Sequence, residues 1–169
     1  MNNRIYNFSA GPATMPIDVL QNVQNEFTNY QQQGMSIIEM SHRSSTFKQV
    51  LERAKQGIIT LLNIPDDYDV LFIQGGASLQ FSMSALNLVH NNLPVKVINT
   101  GVWTKKAIKE IKKETQCDII ASSEDKNFNY IPNLEQCNFD NASYVYLCSN
   151  NTIFGTQYTS FPDTKETPL

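Results

Sequence analysis

From Val70 onward the chain alternates apolar runs with helix-patterned segments, and this alternation restricts the fold more than any other feature. Residues 70–73 are a continuous apolar run of the kind buried on both faces of a parallel sheet. Helical spacing follows over 78–89, a strand pattern over 95–99, a helix over 103–114, and strand patterns over 118–121 and 144–148. Strand, helix, strand, helix, strand is the order of an α/β domain with a mostly parallel sheet flanked by helices. The connection between the last two strands, SSEDKNFNYIPNLEQCNFDNA, is polar and rich in turn formers.

Upstream, Gly11, Pro12 and Pro16 punctuate residues 1–16, which read as an irregular arm ahead of the α/β body, 17–169. Residues 17–33 have Val19, Leu20, Val23, Phe27 and Tyr30 at helical spacing, with Gly34 as a stop. A looped or extended MSIIEMSHRS precedes a second helix over 47–62, with Phe47, Val50, Leu51, Ala54, Ile58, Leu61 and Leu62 on its apolar side. At the other end FPDTKETPL follows the last strand pattern with no further element. The sheet therefore stops partway, either because the tail is a short surface segment or because a C-terminal portion is missing.

Composition narrows the function. With 41% hydrophobic and 17% charged residues the chain can bury a core. A net charge of -3 and only three arginines, Arg4, Arg43 and Arg53, argue against nucleic acid as a partner. Lys105, Lys106, Lys109, Lys112 and Lys113 are interrupted by Glu110 and Glu114 and read as a solvated helix face. Cys117, Cys137 and Cys148 lack CxxC spacing, and His42 and His90 are the only histidines, so no metal site is expected. The odd cysteine count fits a reducing compartment. No apolar run has signal-peptide or membrane-spanning length, and the expected location is the cytoplasm.

Four stretches carry candidate chemistry. In VLFIQGGASLQF, Gly75 and Gly76 lie between strand and helix patterns. Ligands of open α/β sheets bind beyond the carboxyl ends of the strands, where a helix start offers free N–H groups to a phosphate. Ser78 could cap that helix and add its hydroxyl. A plain strand-to-helix turn explains the same residues equally well, and neither a P-loop nor GxGxxG is present. In SHRS, Arg43 could grip a carboxylate in a bidentate fashion, with His42 beside it; pairing with Glu39, or a helix cap at Ser45 or Thr46, is the simpler reading. Trp103, the only tryptophan, follows a strand in TGVW and suits stacking on a flat ligand or ordinary packing. In CSNNTIFG the polar Asn150, Asn151 and Thr152 follow the last strand and could bind a ligand or make a turn. Taken together, a phosphate cradle, a stacking ring and a polar partner at one sheet edge fit pyridoxal phosphate (PLP). A dinucleotide would want an acidic ribose partner about 20 residues past the glycines, and residues 94–100 supply none.

In family order, NFSAGPATMP, MSHRSSTF, VLFIQGGASLQF, NTGVWTKKAIKE and YLCSNNTIFGTQY resemble the phosphoserine aminotransferase family, PLP enzymes of class V and fold type I. The resemblance covers essentially the whole chain and makes it part of the family's large, PLP-binding domain. It implies that Ala77 and Ser78 hold the cofactor phosphate, that Trp103 stacks on the pyridine ring and that Thr152 contacts the cofactor. Arg43 would bind the carboxylate of glutamate or phosphoserine, with His42 near the substrate phosphate. The implied reaction moves an amino group between glutamate and 3-phosphohydroxypyruvate, giving 2-oxoglutarate and phosphoserine, in a homodimer serving serine biosynthesis.

Three departures from the family pattern matter. Many members carry GGGR where this chain has GGAS, so Ser78 replaces an arginine. The usual CxNETIxG reads CSNNTIFG, with Asn151 where Glu is typical, while Thr152 matches. In the family, the aspartate that pairs with the pyridinium nitrogen and the Schiff-base lysine both follow the Thr152 motif, and none of the ten lysines here matches the latter. The resemblance therefore implies an N-terminal portion with no catalytic lysine of its own, inactive by itself, weak in PLP binding and prone to association through an open strand edge. Another class V PLP transaminase, or a non-catalytic remnant, is the alternative.

Overall fold

Three of the four apolar runs fold as one parallel sheet, with β1 (Val95–Asn99) between β2 (Cys117–Ser122) and β3 (Tyr144–Tyr146). The computed structural model describes residues 4–169 and has two compact units, Met1–Phe72 and Ile73–Leu169. The whole sheet lies in the second. As the central strand, β1 has Val95, Val97 and Ile98 fully buried.

Helices α3 (Gly76–Leu88) and α4 (Val102–Glu114) supply the rest of this core. Ala85 of α3 and Ala107, Ile108 and Ile111 of α4 cluster with Val95, Val97 and Tyr144. Small alanines at the contact allow the two helices a short separation. Along α4, Thr104, Ala107, Ile108 and Ile111 recur at helical spacing on the buried side, and all five lysines are exposed. The expected solvated face is therefore present, with Lys112 and Lys113 in the last turn, where the helix dipole favours cations.

The ladder between β1 and β2 skips one residue: Val97 pairs with Ile119 and Ile98 with Ala121. Ile120 is the extra residue of this bulge. Its carbonyl, left out of step with the ladder, accepts from the Cys137 thiol at 3.7 Å. On the other side of the sheet the Val145 N–H donates to the Pro168 carbonyl at 2.8 Å, so the tail covers part of the β3 edge.

The fourth apolar run is not a strand. Residues 70–73 pair with no neighbour, and Leu71, Phe72 and Ile73 are 73%, 56% and 53% exposed. A strand exists through its ladder, and no described strand runs beside this one. The 144–148 pattern also ends early, at Tyr146. Beyond it, β4 (Asn150–Asn151) and β5 (Thr156–Gln157) form a short antiparallel hairpin.

In Met1–Phe72, α1 (Ile17–Glu26) is shorter than its apolar spacing predicts. The chain instead closes a loop in which the Gly34 N–H donates to Asn29 Oδ1 at 2.7 Å and the Tyr30 N–H to the Met35 carbonyl at 3.0 Å. Helix α2 (Ser45–Leu62) starts early because Ser44, not Ser45 or Thr46, is its cap, accepting the Phe47 N–H at 3.2 Å. Neither helix has a fully buried residue.

Ile111→Ala should remove a fully buried side chain and cost the Ile73–Leu169 unit about 3 kcal/mol. Phe72→Ser, at an exposed site, should shift stability by less than about 0.5 kcal/mol. Urea unfolding midpoints of the two variants check this contrast.

Candidate functional site

Strand β1 ends at Asn99, the chain turns through Thr100 and Gly101, and α4 begins at Val102. Trp103 therefore stands in the first turn of a helix at the carboxyl end of the central strand. Its indole Nε1–H donates to Thr152 Oγ1 at 3.2 Å. Since Thr152 accepts that proton, its own O–H is available to a ligand. One turn further along α4, Lys106 Nζ lies 4.7 Å from the Trp103 ring centroid and covers one face of the indole.

Thr152 opens the four-residue turn 152–155 between β4 and β5. Gly155, at φ +77, closes it by donating its N–H to the Asn151 carbonyl at 2.8 Å, a left-handed conformation that favours glycine. Below the turn, Asn151 is 1% exposed. Its Nδ2 donates to the Thr100 carbonyl in a short contact and to Thr156 Oγ1 at 3.4 Å. Of the two roles expected of the CSNNTIFG tip, Asn151 takes part in the turn through its carbonyl, and its side chain does more than that. It is a buried bridge between the hairpin and the β1–α4 turn.

The same end of β1 gathers other buried polar residues. Asn99, Thr100, Thr104 and Ser123 are all buried, and the Ser123 N–H donates to the Asn99 carbonyl at 3.1 Å. Asn99 Nδ2 donates to Glu124 Oε2 at 3.4 Å, while Lys105 Nζ meets Glu124 Oε1 at 2.5 Å. Asn99 Oδ1, Thr100 Oγ1, Thr104 Oγ1, Ser123 Oγ and Asn151 Oδ1 have no hydrogen-bond partner among the described residues.

Ala77 and Ser78 lie in the first turn of α3, which packs on α4. Ser78 is not the cap: the helix starts at Gly76, behind Gly75 at φ +92, and no side chain caps it. A Cβ on Gly75 would collide with Leu79. Residues 75–79 are exposed, and nothing lies within 4 Å of where a Gly76 Cβ would be. The first-turn N–H groups, which have no acceptor within a helix, are thus open to an anion, and the residues fit a phosphate-bearing planar cofactor.

His42 and Arg43 occupy an exposed turn in Met1–Phe72, so they belong to the other unit. The turn is closed by the Ser44 N–H to the Ser41 carbonyl at 2.9 Å and by the Arg43 N–H to Ser41 Oγ at 3.2 Å. Arg43 forms no ion pair among the described residues. Glu39 instead accepts the Ser36 N–H at 2.8 Å, so the simpler Arg43–Glu39 pairing is not formed. A concavity of about 520 Å³ between the 131–140 loop and the tail holds none of the six candidate residues.

Ionisation of the cysteines and tyrosines of the Ile73–Leu169 unit follows burial. The Cys148 and Cys117 thiols are pushed up, chiefly by desolvation. Burial likewise raises Tyr146, and pushes Tyr144 and Tyr158 up to about 12. On α4, hydrogen bonds from Lys113 and then Ser82 hold Glu110 below its usual range. Among the described residues no group of three or more potential metal ligands occurs, and no helix is long and apolar enough to cross a membrane.

A parallel α/β sheet with an open helix start and an indole at its carboxyl end defines a class rather than one activity. Residues 5–166 match the family described as aminotransferase class-V, and the chain belongs to that family. It is 51% identical over 163 residues to a phosphoserine aminotransferase of Campylobacter jejuni subsp. doylei, covering 96% of this chain and 45% of the relative. The identity to the Bacillus anthracis phosphoserine aminotransferase is 48%, over all of this chain and 47% of that protein. Among solved structures, a phosphoserine aminotransferase from Bacillus circulans subsp. alkalophilus superposes with a TM-score of 0.90 at 46% identity, covering 98% of this chain and 46% of that one. A PLP-bound phosphoserine aminotransferase from Trichomonas vaginalis superposes at 0.88 with 36% identity, covering 98% and 47%. The chain thus spans a little under half the length of the relatives it matches.

Tyr144 and Tyr158 yield a pH prediction. Their folded values, about 12, lie above the ordinary 10.0, so the fold favours the neutral phenols. That contribution is complete below pH 10.0 and lost as pH rises through about 12. Urea midpoints should fall across this window, and less steeply in Tyr144→Phe and Tyr158→Phe; equal slopes in all three proteins would refute the assignment.

Proposed function

We propose that this chain forms part of the PLP-binding large domain of a phosphoserine aminotransferase, over residues 17–169. The amino group would pass between glutamate and 3-phosphohydroxypyruvate, yielding 2-oxoglutarate and phosphoserine for serine biosynthesis. The working form is a cytoplasmic homodimer of chains of the relatives' length. The single observation that carries the reading is the Trp103–Thr152 hydrogen bond, which joins two residues 49 apart in sequence at the carboxyl end of the central strand.

PLP supplies the electron sink that lets an amino group leave one carbon skeleton and join another. The N–H groups of Ala77 and Ser78, with the Ser78 hydroxyl, hold its phosphate at the α3 start. Trp103 lies against the pyridine ring, and the Thr152 hydroxyl donates to the cofactor while accepting the indole N–H. Arg43 binds the substrate carboxylate and His42 its phosphate. With Ser78 in place of an arginine, more of the phosphate recognition falls to His42. No lysine of the 169 has the Schiff-base role, so the chain alone binds PLP weakly and does not turn over glutamate.

Equilibrium dialysis of PLP against the chain tests the cofactor residues. Trp103→Ala and Ser78→Ala should each raise Kd about tenfold, equivalent to about 1.4 kcal/mol of lost contact, with unfolding midpoints unchanged. An unaltered Kd in both variants would defeat the reading. In a chain carried to the relatives' length, Arg43→Lys should raise KM for glutamate and leave PLP bound, since lysine cannot reproduce a bidentate guanidinium contact.

A further inference from the structure

The residue that the family pattern makes unusual, Asn151, is also the one the fold buries most deeply in the hairpin, at 1% exposure. Three contacts define what it does. Its Nδ2 donates to the Thr100 carbonyl, and more weakly to Thr156 Oγ1 at 3.4 Å. Its own carbonyl accepts the Gly155 N–H at 2.8 Å and so closes the 152–155 turn. Its carboxamide lies on Gly101 so closely that a Cβ there would stand 2.6 Å from Nδ2 and 2.9 Å from Oδ1. Gly101 has no cap of its own from a neighbouring side chain, so this carboxamide is the group packed against the start of α4.

The sequence positions give these contacts their meaning. Thr100 and Gly101 immediately precede the helix turn that carries Trp103, and Asn151 immediately precedes Thr152. One side chain therefore ties the backbone ahead of the indole to the backbone ahead of its acceptor. We infer that Asn151 is a positioning residue: its carboxamide clamps the hairpin onto the β1–α4 turn and thereby sets Trp103 against Thr152. Its bearing on PLP rests on the reading given under Proposed function, but the clamp itself does not.

The chemistry of the clamp is specific to a carboxamide. The Thr100 carbonyl can only accept, so its partner must donate. Asp and Glu carboxylates cannot, and a carboxylate placed against that carbonyl would set two acceptors face to face. The glutamate typical of the resembled family at this position could not make the same bond. Here the Asn151 donor holds the Trp–Thr pair, and Gly101, which has no Cβ, leaves room for the carboxamide.

The test uses the 169-residue chain and its single tryptophan. In 15N-labelled protein, the Asn151 carboxamide protons and the Trp103 indole proton should exchange at least about tenfold more slowly than in free amide and indole models. Asn151→Asp keeps the shape and removes the donor. It should abolish indole protection and raise the acrylamide quenching constant of Trp103 at least about twofold, while core amides such as Ile111 stay protected. Thr152→Val should expose the indole proton but leave the Asn151 carboxamide protected, which fixes the direction of dependence. Unchanged Trp103 exchange in a folded Asn151→Asp protein would overturn the inference. If that variant loses its core protection, the wild-type measurement decides: a freely exchanging Asn151 carboxamide overturns the clamp, and a protected one supports it. An unaltered PLP Kd in Trp103→Ala and Ser78→Ala while these effects persist would overturn the cofactor reading and leave the clamp standing.

Discussion

The parallel ladder along both edges of Val95–Asn99 is the constraint on which the Ile73–Leu169 unit depends. A strand paired on both sides, with α3 and α4 covering its apolar residues, has no freedom to tilt or slide. Everything attached to its carboxyl end inherits that rigidity. Asn99 fixes Ser123 and Glu124, Thr100 fixes Asn151, and the turn through Gly101 launches α4 and with it Trp103. At the other end of the unit's central layer, Lys96 Nζ reaches the carbonyls of Asn138 and Asp140 at 2.9 and 2.6 Å, anchoring the long connection to β3.

The two ends of β1 differ in kind. Toward its start Val95 and Val97 join the apolar cluster with α3 and α4, and the buried Ser143 hydroxyl finds a carbonyl at Leu93; past Ile98 the neighbours are Asn99, Thr100, Thr104, Ser123 and Asn151, buried and only partly satisfied. Each unmatched buried polar atom costs about 1–3 kcal/mol relative to a satisfied one. A region built for stability alone would carry aliphatic side chains there. Local rules of packing are broken where a fold meets its function, and this is where Trp103 and Thr152 stand. The uncapped start of α3 is a second such place: Gly75, at φ +92 and against Leu79, leaves no room for a capping side chain.

Much of this fold was legible because its signals are local. Strand β1 is an apolar run and α4 a clean helical pattern, and both form as read. Pairing is not local, which is why residues 70–73, the most apolar run of all, looked like a strand and is none. The bulge at Ile120 shows the same limit on a finer scale. Ile119 and Ala121 are two apart and should share a face, yet they pair with consecutive residues of β1 and so face opposite ways, which leaves Ile119 half exposed. At the site, the motifs singled out Trp103 and Thr152 but not the bond between them. Asn151 was legible only as an oddity, because an asparagine in a polar turn sequence reads as solvated unless the glycine 50 residues earlier is known to face it.

Lys106 gives the indole a handedness. A ring open on both faces would accept a flat partner in two mirror-related orientations, with its substituents pointing to opposite sides. With an ammonium over one face at 4.7 Å, worth about 0.5–1 kcal/mol at an exposed site, those orientations are no longer equivalent. A flat ligand would therefore meet Trp103 on the face away from Lys106, so a lysine with no part in bond-making sets the side from which the ring is approached.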